Sequence, residues 1–367
     1  AKTGDAIMGV TIPPTAVKLR RIANLGQIIQ SHALSFFHLS APDLLLGMDA
    51  DPAARNVFGL MASEPELARR GIRLRSYGQS VIEAIAGRKV HSPGIVPGGI
   101  AQAMTAETRE TLTEALAEAR ETAADAVTLF TGMLDQFERE VQAFGQFPSL
   151  HMGLANDSGV WEHYDGHLKL VDADGTVVVD GLAPSEYRTI IGEAGRKDSY
   201  LKSPYFKPRV SETDDPTAGT YRVGPLARLN VCETMGVPAA DEALAEYRER
   251  AGGVANSSFF YHYARLIEIL AATEHMALLL ADDDMEVRRS AVGAVYPRAG
   301  RETWMSTIHN LELPQVRADA LRALLRAGAA AFPALENAYR ASSSATSLRR
   351  LILQVFGRAS TEGAIDF

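Results

Sequence analysis

AETRETLTEALAEARETAADAVTLFTGMLDQFEREVQAF, residues 106–144, carries the longest regular pattern in the chain. Leu112, Leu116, Ala119, Ala123, Val127, Phe130, Leu134, Phe137, Val141 and Phe144 recur at steps of four and three, with Glu, Arg, Thr and Asp between them. Such spacing keeps one face of a 3.6-residue turn apolar and predicts a single amphipathic helix. Thr105 is placed to cap it, and Gly145 and Pro148 to stop it. At 1.5 Å per residue the helix approaches about 60 Å, the span of a whole domain. A mainly α architecture follows.

Working outward, VKLRRIANLGQIIQSHALSFFHLS (17–40) repeats the pattern through Leu25, Ile29, Phe36 and Leu39, with His32 on the same stripe. Pro42 should end that helix, because proline donates no backbone hydrogen bond. Residues 63–87 read as another helix capped by Ser63, and 88–100, with two prolines and three glycines, as a loop or tight hairpin. Residues 161–182 change period to two, and Asp165-Gly166 and Asp174-Gly175 supply turns for a small β-hairpin meander. Residues 195–230 show little periodicity and read as an irregular connection. SSFFYHYARLIEILAATEHMALLLA (257–281) is again helical, and Asp282-Asp283-Asp284 follows it.

Composition divides the chain at that acidic triplet. The 367 residues carry 37 Lys and Arg against 45 Asp and Glu, a net charge of −8 that argues against nucleic-acid binding through overall positive charge. Residues 281–367 are near neutral, and all their basic residues are Arg. VRRSAVGAV (287–295), VRADALRALLRAG (316–328) and LRRLILQVFGRA (348–359) each open apolar-Arg and continue Ala/Leu-rich, starting 29 and 32 residues apart. With ETWMSTIHNLE and AAFPALENAYR as alternate helices, 282–367 reads as an incomplete helical repeat segment after a 1–281 domain. A start on Ala1 and an end at Phe367, inside a patterned run, predict that both ends are cut. No stretch reaches the ~18–20 apolar residues of a membrane span. A single cysteine, Cys232, provides no disulfide framework, and cytoplasmic residence fits.

Few constellations carry chemistry. His163 and His167 flank a turn, so they lack the helical geometry of an HxxxH metal pair. Asp172, Asp174 and Gly175 resemble the start of a calcium loop without its later ligands. Pro97-Gly98-Gly99 matches neither a P-loop nor a dinucleotide fingerprint, and a tight turn is its plain reading. Cys232 has neither a CxxC partner nor a nearby His, and reads as a small buried hydrophobe. His32 and His38 lie six residues apart, some 240° around a helix, so they face different neighbours; on its apolar stripe, His32 reads as a satisfied core histidine.

Several segments resemble the large subunit of nickel–iron hydrogenases, most closely the soluble NAD-reducing group. They are GVTIPPTAVKLRRIANLGQIIQSHALSFFHLSAPDLLLG (9–47), RNVFGL (55–60), ELARRGIRLR (66–75), His91 with Pro97-Gly98-Gly99, FGQFPSLHMGL (144–154), SYLKSPYFKP (199–208), YRVGPLARLNVCE (221–233) and SSFFYHYARLIEIL (257–270). They occur in order between about Asp5 and Ala281. The resemblance implies a bundle of long helices around a nickel–iron centre, held by two CxxC pairs with CO and CN on the iron. It also implies electron transfer through an iron–sulfur small subunit, and in that group NAD-linked diaphorase subunits.

Set beside that family, this chain offers Cys232 alone, in the GPLARLNVCE segment rather than in a ligand motif. No cofactor is therefore expected on the chain as it stands, and no residue takes a catalytic or metal-binding role. His32, His38, Pro97, Gly98 and Gly99 are the candidates for a place beside the centre. Tyr296-Pro297-Arg298 resembles the family's Pro-Arg-Gly segment, with Ala299 at the glycine position, and reads as coincidence. Residues 285–367 resemble HEAT-type repeats, which would bind a protein partner. A hydrogenase-derived structural or assembly protein is the alternative function.

Overall fold

The computed structural model describes residues 2–210, 216–281, 301–312, 317–341 and 346–358. Helices α1 (Lys2–Met8) and α2 (Pro14–Ala33) lead into a π-helical segment, Leu34–Ser40, followed by α3 (Ala41–Leu46), α4 (Val57–Ser63) and α5 (Pro65–Ala86). A two-residue hairpin, β1 (Ile95–Val96) and β2 (Gly99–Ile100), precedes α6 (Ala106–Leu134), a 3₁₀ turn at Asp135–Phe137 and α7 (Glu138–Ala143). Then come β3 (Leu150–Ala155), β4 (His167–Val171), β5 (Val177–Leu182), β6 (Ile191–Arg196), β7 (Ser199–Phe206) and β8 (Tyr221–Arg222). Helices α8 (Pro225–Val231), α9 (Pro238–Ala251), α10 (Phe260–Ala281), α11 (Arg301–His309), α12 (Arg317–Ala327), α13 (Phe332–Ala341) and α14 (Thr346–Arg358) complete the described chain.

The long helix stops sooner than its sequence pattern. Helix α6 covers 29 residues, about 43 Å, and the 3₁₀ turn separates it from α7. A 3₁₀ turn advances about 120° per residue instead of 100°, so three residues rotate the following stripe by about 60°. Leu112 through Leu134 and Phe137 are accordingly buried, whereas Phe144 is 60% exposed. Pro42 departs from expectation in the other direction. It sits in the first turn of α3, where its missing N–H is one that a helix leaves unpaired anyway. Just before it, the Ala41 amide bonds to the Phe36 carbonyl five residues back, and the Ser40 hydroxyl donates to Ser35 O at 3.1 Å. The wider turn lets the helical path continue instead of ending.

The β module is larger than its period-two stretch. Four strands form one sheet in the order β5-β4-β3-β8, with β3 antiparallel to β4 (His151 opposite Val171) and parallel to β8. Asp174-Gly175 makes the expected hairpin turn between β4 and β5. Asp165-Gly166 instead closes the longer excursion between β3 and β4, since Trp161 bridges back to Ala155. The stretch expected to be irregular contains part of a second hairpin, β6–β7, whose exposed outer face hid its periodicity. Leu150, Leu170, Ile191 and Phe206 form the module's core.

The chain divides into two compact units. One comprises Ala1–Gln27, Tyr77–Ala115 and Met276–Phe367; the other comprises Ile28–Ser76 and Leu116–His275. Within the first, helices occur at 317–327 and 346–358, where the second and third Arg-led motifs lie, and at 301–309 and 332–341 between them. Trp304, Ile308, Leu324, Leu335 and Ile352 are packed into their common core. The first motif (287–295), the acidic triplet, Tyr296-Pro297-Arg298 and the last residues, 359–367, lie outside the described residues. The second unit is centred on aromatic packing: Phe130 lies 6.0 Å from Phe36, 6.1 Å from Phe259 and 5.6 Å from Tyr263, ring centre to ring centre.

Candidate functional site

Helix α10 is apolar on most faces, yet it carries Glu268 among Leu266, Ile267, Ile269 and Leu270, and Glu268 is fully buried. A buried carboxylate is tolerable only when its charge and lone pairs are matched. Here each oxygen receives two donors. Arg228, near the end of the short helix α8, approaches side-on, Nε to Oε1 at 2.5 Å and Nη2 to Oε2 at 2.6 Å. Trp161 Nε1 donates to Oε1 at 2.9 Å, and His32 Nε2 lies 2.8 Å from Oε2. Burial raises the Glu268 carboxyl, but Arg228 and His32 outweigh it and hold the group far below the carboxylate range. With Nε2 donating, His32 is the satisfied core histidine that its stripe position suggests. Arg228, Trp161 and Glu268 are not marked in the sequence as a site; the available signal is an acid between Ile267 and Ile269 in the apolar run of α10.

His38 lies on the π-helical segment, half-buried, with Nδ1 lacking a hydrogen-bond partner among the described residues. Burial and then the positive charge of Arg75 push its pKa down. The π-turn explains the placement: the regular 100° step assumed for a six-residue separation does not apply across Leu34–Ser40. His32 and His38 belong to one compact unit, while Pro97, Gly98 and Gly99 belong to the other.

Pro97-Gly98 forms the tight turn between β1 and β2. Gly98 and Gly99 take φ of 90° and 149°, a backbone that residues with a Cβ rarely adopt. The turn is pinned from below. Arg20, 2% exposed, donates to Val96 O at 2.7 Å and to Gly99 O at 3.1 Å, and pairs with Asp5 at 2.5 Å. Asp5 in turn accepts the Gly98 amide at 2.8 Å. Burial raises the Asp5 carboxyl, but Arg20 and the Gly98 amide together leave it below its usual value. Its contribution to stability is therefore present above pH ~4 and lost as pH falls. Asp5→Asn is expected to cost about 2 kcal/mol and to speed hydrogen exchange at the Gly98 amide. Unchanged exchange there would show that the turn holds itself.

The remaining candidates are structural. His163 lies tilted against Trp161, ring centres 5.1 Å apart, and His167 pairs with Asp157 at 3.0 Å. Asp172 binds the amides of Asp174 and Thr176, which is what a turn requires. Cys232 is 2% exposed, and burial, only partly offset by Arg248, pushes its thiol up to about 12. No helix of the described residues is long and apolar enough to cross a membrane.

No family model matches the chain. It is 39% identical over 321 residues to a component of the vhu F420-non-reducing hydrogenase of Methanocaldococcus jannaschii, covering 85% of this chain and 74% of that protein. It is 35% identical over 285 residues to the beta component of the NAD-reducing hydrogenase HoxS of Cupriavidus necator, covering 76% of this chain and 57% of that one. Its fold superposes on an NAD+-reducing nickel–iron hydrogenase in the H2-reduced state with a TM-score of 0.73 and 34% identity, over 97% of this chain and 81% of that one. The chain belongs to the hydrogenase large-subunit family. The likeness extends past Ala281, since 97% of the chain exceeds the stretch over which the sequence segments alone carry it.

The one cysteine of the 367 residues, Cys232, is buried, and burial raises its thiol. Among the described residues no three His, Cys, Asp or Glu side chains are placed to hold a metal ion.

Proposed function

We propose that these 367 residues are the body of a soluble, cytoplasmic hydrogenase large subunit. In this reading the body does not hold a nickel–iron centre unaided and has no hydrogenase activity of its own. The similarity to an NAD+-reducing nickel–iron hydrogenase over almost the whole chain supports the family role. The state of Cys232 supports the second half: one thiol kept protonated up to about pH 12 does not replace a set of thiolates. What the chain contributes is scaffold. The Glu268–Arg228–His32–Trp161 cluster locks α2, α8 and α10 together, and the Arg20–Asp5 pair holds the Pro97–Gly99 turn. An iron–sulfur small subunit, and diaphorase subunits where NAD is the acceptor, are the partners this role requires.

Elemental analysis of the purified chain tests the reading. Nickel and iron are expected well below one equivalent, with no dye reduction under dihydrogen. Stoichiometric metal together with dihydrogen-dependent reduction would overturn it. A second reading draws on the core of Trp304, Ile308, Leu324, Leu335 and Ile352, against which Ala103 also packs. Residues 282–367 would then form a HEAT-like segment that binds a protein partner, in a hydrogenase-derived structural or assembly protein. A stable, metal-free complex lost on deleting 285–367 favours that reading; one that survives the deletion counts against it.

A further inference from the structure

The helices that follow the two breaks in helical geometry meet at one place. The π-helical segment Leu34–Ser40 feeds α3, and the 3₁₀ turn Asp135–Phe137 feeds α7; both helices border a single cavity of about 310 Å³. Inserted π-turns are costly and recur at functional sites. A volume of this size sits at the lower end for small-ligand sites. The cavity is independent of the Glu268 cluster and of the Pro97–Gly99 turn, and none of the residues described above as scaffold lines it.

Its lining combines apolar and charged side chains. Phe259 (2% exposed) and Leu44 (6%) form the apolar wall, joined by the His262 ring, which packs edge-on to Phe259 at 5.6 Å. Met48 and Phe144, 36% and 60% exposed, stand where solvent reaches it. Two carboxylates and one guanidinium complete the charged groups. Arg55 is already engaged: its Nε lies 3.1 Å from Asp43 Oδ1, and it donates to the Met48 carbonyl. Glu140 has no ion-pair partner among the described residues. His262 adds no positive charge, since burial, reinforced by Arg265, holds its pKa down at about 4. One carboxylate is left uncompensated over aromatic and aliphatic walls, which favours a cation on an apolar stem.

We propose that this cavity is a binding site for a small free organic cation, an amine or amidine carried on a ring or short hydrocarbon, with Glu140 as counter-ion and Phe259, Leu44 and Met48 as the seat of the stem. Benzylamine is the probe, set against neutral benzyl alcohol and anionic phenylacetate, with binding to the full chain followed by saturation-transfer NMR. Benzylamine should saturate at least fivefold more tightly than the alcohol, and phenylacetate should not bind. Glu140→Gln should weaken benzylamine by roughly tenfold, the loss of one charged hydrogen bond. Glu242→Gln, an exposed carboxylate away from the lining, should leave it unchanged. Met48→Trp, at the solvent-exposed rim, should fill the cavity and abolish binding while the chain stays folded. Binding that fails to saturate, that does not distinguish amine from alcohol, or that ignores Glu140→Gln would refute the proposal.

Discussion

Arg228→Ala is expected to destabilise the second unit by about 3–5 kcal/mol, the cost of stranding a buried charge. The variant leaves Glu268 fully buried, with only Trp161 Nε1 and His32 to meet it. The pH dependence separates this cause from simple loss of packing. In the native chain the Glu268 carboxyl lies far below its ordinary value, so its stabilisation is complete above pH ~4.5 and declines only under acid. In the variant, burial acts with little opposition and raises the carboxyl, so acidification neutralises the stranded charge. The deficit should be largest near pH ~7 and should narrow toward pH ~5. Trp161 reports the cluster directly, because its indole N–H is one of the four donors, and Trp304→Phe removes the only other tryptophan. Urea titrations on that background, at several pH values, make the measurement. A deficit independent of pH would mean that Arg228 acts through its hydrocarbon stem alone.

Phe130→Ala should cost about 3–5 kcal/mol, the range for emptying a buried phenyl site. Phe130 is completely buried where the aromatic rings of the second unit meet, edge-on to Phe36, tilted against Tyr263 and His262 and stacked on Phe259. Each neighbour comes from a different element or is itself large, so the site cannot collapse to fill the void. Phe130→Leu keeps most of the volume and should cost under about 1.5 kcal/mol. Comparable losses for the two variants would contradict the packing argument and point to a specific aromatic role.

Much of the helical framework is legible in the sequence. The stripes of α2 and α6 obey a three-and-four spacing, because burying one helix face imposes it whatever the partner is. The Pro97-Gly98 turn is legible for a similar reason, since Gly98 and Gly99 satisfy a local backbone requirement. Three features are not. The 3₁₀ break after Leu134 leaves the sequence pattern intact through Phe144, because a turn that rephases a stripe does not interrupt it. The π-turn lets Pro42 begin a helix instead of ending one. Hairpin β6–β7 exposes one face widely, with Tyr200 at 95%, so its apolar alternation is too weak to read.

The candidate site divides along the same line. His32 is visible as a histidine on an apolar stripe, but its partners are not. Glu268 lies 236 residues from His32 and 40 from Arg228, and neither interval corresponds to a helical or strand repeat. Cys232 is legible as a buried hydrophobe, because a thiol without neighbouring ligand residues has little else to do.

From the chain alone come the helices, their buried faces, the turn at Pro97-Gly98, the scarcity of thiols and the resemblance to the family. All of these rest on local chemistry: spacing along one face, backbone freedom at glycine, and residue type. Only the folded chain decides which charges meet in the interior, where the helices break, and that the helices following both breaks border one cavity. Those outcomes depend on groups brought together from distant parts of the sequence. A buried carboxylate selects its partners by desolvation and geometry, and neither leaves a periodic trace in the residues that supply them.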